Sequence, residues 1–79
     1  MNKTYNINLG GLVYHIDDNA YELLDKYLNN LRAHFKKEEG GEEIVHDMEL
    51  RISELFSERL NDRKQVITMS DVEEIIAQV

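Results

Sequence analysis

His34–Phe56, HFKKEEGGEEIVHDMELRISELF, decides the fold, because one helix ends and another begins inside it. Gly40-Gly41 separates them. Lys36 and Lys37 are read in the closing turn of the first helix, and Glu42 and Glu43 in the opening turn of the second. Each charge pair lies where the helix dipole favours its sign. So short a break predicts a helical hairpin and therefore a tightly connected fold. The stretch carries punctuation, not the residues of an active site.

Upstream, Tyr21, Leu24, Leu28, Leu31 and Phe35 recur at alternating spacings of three and four, with Ala20, Leu23 and Tyr27 widening the stripe. That period is helical, with a cap at Asp17 or Asp18 and a stop at Gly40. Downstream, the second helix runs from about Gly41 to Leu60 on Val45, Met48, Ile52 and Leu55, flanked by Ile44, Phe56 and Leu60. Glu22 with Lys26, and Asp47 with Arg51, are spaced for ion pairs one turn apart.

Farther out the period changes to two. Gly10-Gly11 lies between alternating runs and suits a two-residue primed turn, which pairs Leu9 with Leu12, Ile7 with Tyr14, and Tyr5 with Ile16. All six face one side, while Asn8 opposite Val13 and Asn6 opposite His15 take the other. The hairpin is therefore read as a one-sided sheet covered by helices. Asn61-Asp62-Arg63-Lys64 reads as a polar loop, Gln65–Thr68 as a third strand, and Ser70 with Glu73 as a capping box opening a helix on Val72, Ile75 and Ile76.

The expected fold class is α+β in the order ββααβα: a small β-hairpin plus a third short strand, packed on a helical hairpin and a C-terminal helix. Residues 1–79 are read as a single domain. For the third strand, parallel pairing with the first strand and an all-antiparallel meander both remain open.

At 79 residues the margin of stability is thin. Sixteen acids against nine bases give a net charge of −7, with no basic stripe, which disfavours a DNA-binding regulator and contact with an anionic lipid surface. The absence of cysteine excludes disulfides and thiolate metal sites. No secretory signal is read at Met1-Asn2-Lys3-Thr4, and no apolar run is long enough to span a membrane. The chain stops at Ile75-Ile76-Ala77-Gln78-Val79 inside an apolar helical pattern, so it is read as the soluble N-terminal piece of a longer protein.

Chemistry-bearing patterns are sparse. Glu43-Ile44-Val45-His46 has the Glu-x-x-His spacing of di-iron bundles, but such sites use two copies plus two further glutamates, and one copy occurs here. His15, His34 and His46 carry an alternative reading, a metal- or small-ligand-sensing domain. Ser53, Ser57 and Ser70 lack a nucleophile elbow, and neither Gly-Gly pair is followed by the Lys-Ser/Thr of a phosphate loop. The expectation is no enzyme, no catalytic residue, no metal and no cofactor. Tyr5, Tyr14, Tyr21 and Tyr27 are many tyrosines for so small a domain. They are read as the rim of the core, and as the possible interaction residues of a binding patch. The outer strand edge is the other candidate contact.

Asn6-Ile7-Asn8-Leu9-Gly10-Gly11, Tyr14-His15-Ile16-Asp17-Asp18-Asn19-Ala20-Tyr21-Glu22-Leu23-Leu24, Tyr27-Leu28, Leu31-Arg32-Ala33-His34-Phe35, and above all Glu42-Glu43-Ile44 and Asp47-Met48-Glu49-Leu50-Arg51-Ile52-Ser53-Glu54-Leu55-Phe56 resemble the N-terminal segment of bacterial membrane proteins that carry a phage shock protein C (PspC) domain. Val66-Ile67-Thr68 and Asp71-Val72-Glu73-Glu74-Ile75-Ile76 extend the likeness. The resemblance implies a non-catalytic interaction or regulatory domain, linked to envelope stress, at the cytoplasmic face of the inner membrane. It also implies a membrane anchor after Val79. A protein partner or self-association is expected, with no nucleic acid and no membrane contact by this segment itself.

Overall fold

The computed structural model describes residues 3–79. Met1 and Asn2, where the reading of a start without a secretory signal begins, lie outside them. The elements are β1 (Thr4–Leu9), β2 (Leu12–Asp17), α1 (Asp18–Phe35), α2 (Gly41–Arg59), β3 (Val66–Ile67) and α3 (Met69–Gln78). This is the expected α+β order, with the hairpin, the helix pair and the C-terminal helix in place.

Gly10 and Gly11 both adopt left-handed backbone, at φ 62° and 85°, as a primed turn demands. Gly10 is constrained a second time, because a Cβ there would lie 2.8 Å from the Ser53 Cβ on α2. The register is the one the alternation predicts, from Thr4 opposite Asp17 to Leu9 opposite Leu12. Leu9, Tyr14 and Ile16 are buried on the inner face. Tyr5 and Leu12, at opposite ends of that face, stay 46% and 54% exposed.

β3 pairs with β2, in parallel, setting His15 beside Val66 and Ile16 beside Ile67, so the strand order is β1-β2-β3. Neither arrangement left open by the sequence is adopted. β2 runs into α1 without a loop, and two helices intervene before β3. A connection of that length is long enough for a parallel crossover, and burial of Ile67 in the core places β3 against the edge of β2 that β1 leaves free. The strand is also shorter than Gln65–Thr68. Thr68 is the N-cap of α3, and the capping box joins Thr68 to Asp71 rather than Ser70 to Glu73. The Asp71 carboxylate accepts the Thr68 backbone N–H at 2.9 Å, and the Thr68 hydroxyl accepts the Asp71 N–H at 3.4 Å. Ser70 lies within the helix.

The end of α1 comes about one helical turn before the expected stop at Gly40. The Phe35 carbonyl accepts the Glu38 N–H and the Glu38 carbonyl accepts the Gly41 N–H, each at 3.0 Å. Lys36 thus caps α1, Lys37 lies in the connection, and Gly40 opens α2 instead of ending α1. Gly41 is required by proximity, since a Cβ there would collide with the Phe35 carbonyl oxygen. Among the described residues, Arg51 pairs with Glu54 and not with Asp47, and no ion pair joins Glu22 to Lys26.

The core lies between the sheet's inner face and the three helices. Ile16, Ile52, Phe56, Ile67, Val72 and Ile75 are its largest fully enclosed side chains, with Ala20, Leu24 and Leu28 closing it from α1. Among the described residues, no helix is long and apolar enough to cross a membrane.

Candidate functional site

Two buried polar clusters are the first places to look for chemistry, and both join parts of the fold. At the β3 end, the Asp71 carboxylate is 5% exposed and lies 2.8 Å from the Lys64 Nζ and 3.2 Å from the Arg59 guanidinium. Burial pushes this carboxyl up, but hydrogen bonds from Lys64, from the Thr68 backbone and hydroxyl, and from Arg59 outweigh it and hold the group down to about 2. Arg59 is raised in turn, by Glu74 first and then by Asp71. A carboxylate so strongly committed to its charged form is a poor proton acceptor near neutral pH. Its place explains it: it ties the end of α2, the Asn61–Lys64 turn and the start of α3 together.

The second cluster is Tyr14 with Ser53 and Ser57. The Ser53 hydroxyl donates to the Leu9 carbonyl at 3.0 Å. The Tyr14 hydroxyl lies 2.9 Å from the Ser53 carbonyl and 2.6 Å from its Oγ, so its single hydrogen goes to Ser53. The Ser57 hydroxyl, at 2.9 Å, then donates to Tyr14. No buried side-chain nitrogen or oxygen among the described residues is left without a partner. These hydroxyls clamp the hairpin to α2.

Of the four tyrosines, Tyr14 is therefore core, 4% exposed, with its ring edge-on to Phe56 at 5.4 Å. Tyr27 is half-buried and packs against the core from α1. Tyr5 and Tyr21 are brought together, ring centroids 5.3 Å apart at 71°. The histidines are scattered. His15 lies on the outer face of the sheet opposite Asn6, His34 abuts Phe35, and His46 lines a cleft of about 400 Å³ between the end of α1 and the start of α2. Among the described residues, no three His, Asp or Glu side chains are grouped to hold a metal ion.

What the tyrosine reading reached only in part is the surface beside Tyr5 and Tyr21. Among the described residues β1 bonds to β2 on one side only, and its other side is the open edge of the sheet. A two-residue turn makes Leu9 and Leu12 a hydrogen-bonded pair, and the pairs alternate from there. The backbone groups of Ile7 and Tyr5 are thus spent on β2, while those of Asn8, Asn6 and Thr4 point outward. Beneath this edge, two adjoining clefts of about 350 Å³ each run between β1 and α1, sharing Asn6, Ile7 and Tyr21. Leu24 and Leu28 form part of the floor, and Glu22 and Asp25 lie along the α1 wall. Arg32, at the far end, is held by Glu49 at 2.9 Å and by Asn29 at 3.2 Å. The helical period of α1 and the alternation of β1 each name half of this lining, but not that the two halves face each other. No protein-family model matches this chain, and neither does any curated protein or solved structure.

Proposed function

We propose that this domain is a non-catalytic protein-interaction module, the N-terminal part of a membrane protein of the PspC type, and that it docks a protein partner at the cytoplasmic face of the inner membrane. The observation that carries the docking role is the unpaired edge of β1 beside the exposed Tyr5 and the half-buried Tyr21. A strand edge offers regularly spaced donors and acceptors, and tyrosine supplies contact area with a polar tip. The membrane context and the link to envelope stress rest on the sequence resemblance, above all on Asp47–Phe56.

Two experiments test this. Paired apolar segments encoded after Val79 support the membrane context, and a stop codon there overturns it. In the full-length protein, photoreactive benzoylphenylalanine in place of Tyr5 is expected to cross-link a partner in cells, whereas the same group at the exposed Glu73 on α3 is not. The docking role falls if no exposed position of the domain yields an adduct.

A further inference from the structure

The edge and its groove together specify an occupant, on the basis of the interaction role proposed above. Thr4–Leu9 contains no charged residue and no proline, and pairs with β2 without a bulge, although 32% of the chain is charged. Those are the devices that ordinarily blunt an exposed edge. A strand added to β1 would bond to Thr4, Asn6 and Asn8. Its side chains opposite Tyr5 and Ile7 would share their inner face and enter the groove above Leu24 and Leu28. Along the α1 wall they meet Glu22 and Asp25; the polar contact of Asp25 among the described residues is the Asn29 amide at 3.3 Å. The cation at the end of the groove, Arg32, is already engaged by Glu49. A second copy is a poor fit, since it would bring another β1 without cations, and another net charge of −7, against an acidic wall.

We infer that an extended basic segment of a partner protein adds to β1 as a fourth strand, its alternate side chains filling the groove between β1 and α1. Apolar side chains cover Leu24 and Leu28, and Lys or Arg reaches Glu22 and Asp25.

The test uses the isotope-labelled 79-residue chain and the capped peptide Thr-Lys-Thr-Val-Thr-Lys-Thr, with Glu replacing both Lys in a control peptide. The Lys peptide is expected to shift the β1 resonances and slow exchange of the Asn6 and Asn8 amides, binding about tenfold more tightly than the Glu peptide. Asn6→Pro removes an outward N–H that β2 does not use, so the hairpin survives and binding is lost. If that variant does not fold, the surface double variant Glu22→Lys/Asp25→Lys decides, because it is expected to favour the Glu peptide instead. Absence of any β1 shift at large peptide excess overturns the inference. So does a dimer that protects the same amides without peptide, which makes a second copy the occupant. Shifts confined to the cleft between α1 and α2 overturn the edge assignment but leave the interaction role standing; that role is decided by the cross-linking of the full-length protein.

Discussion

At one border of the sheet β3 contributes two residues, flanked by the Asn61–Lys64 turn and by the capping box of α3. At the other border β1 contributes six residues, uncharged, with a groove beneath them. Polar groups at the β3 border are turned inward on one another, with Asp71 bonded to Arg59, Lys64 and Thr68. Polar groups at the β1 border are backbone amides and carbonyls facing out. A domain this small has few residues to spend, and its buried ion-pair network fastens the chain on either side of the two-residue β3, while the six-residue edge of β1 has no such fastening beside it. Edge protection is ordinary in β-proteins, so the unprotected border is the more informative of the two.

Three substitutions probe this contrast, beginning with the largest effect. Ile67 is the fully buried residue of β3. Ile67→Ala is expected to cost about 2–5 kcal/mol, a large part of the stability of so short a chain, measured as a lowered urea midpoint. A loss well below 1 kcal/mol, by order of magnitude, would mean that the sealed border contributes little to the core.

Asp71→Asn is expected to cost about 2 kcal/mol at neutral pH and to change the acid limb of unfolding. The folded carboxyl is held at about 2, below its ordinary 3.8. Its contribution is therefore complete above pH 3.8 and is lost as pH falls through about 2. Urea titrations from neutral pH down to that range should show wild type and variant converging; parallel curves would remove Asp71 as the lock of this border.

The smallest effect concerns how the open border is held from behind. Tyr14→Phe keeps the ring against Phe56 but deletes the hydroxyl shared with Ser53 and Ser57, at an expected cost of about 1–2 kcal/mol. Amide exchange should accelerate in β1 and β2 more than in α3. Equal acceleration everywhere would show that the hairpin and the β3 border open as one unit.

Much of this contrast was legible from local rules. The Gly10-Gly11 turn and the flanking alternation specified each cross-strand pair, because a two-residue turn permits one register and a slip would send Tyr14 and Ile16 to the solvent face. The apolar stripe of α1 was equally clear. The capping box was displaced by two residues, since Ser70/Glu73 and Thr68/Asp71 satisfy the same spacing. What selects the latter pair is Lys64 and Arg59 reaching Asp71, a contact between segments that spacing does not encode. Tyr14 was grouped with the other tyrosines for its residue type, and Ser53 and Ser57, 39 and 43 residues away in the chain, supply the partners that let its hydroxyl be buried.

By itself, then, the sequence determined the order of the elements, the hairpin register and the inward face of the sheet, because turns and hydrophobic period act over a few residues. Tertiary structure alone decided that β3 lies parallel to β2, that Asp71 is the sealed carboxylate, and that β1 overhangs α1 to form a groove. The first two depend on where a two-helix crossover returns the chain, and the groove on how α1 packs across the hairpin; both are set by gathering Ile16, Leu24, Leu28, Ile52, Phe56 and Ile67 into one core and not by any local pattern.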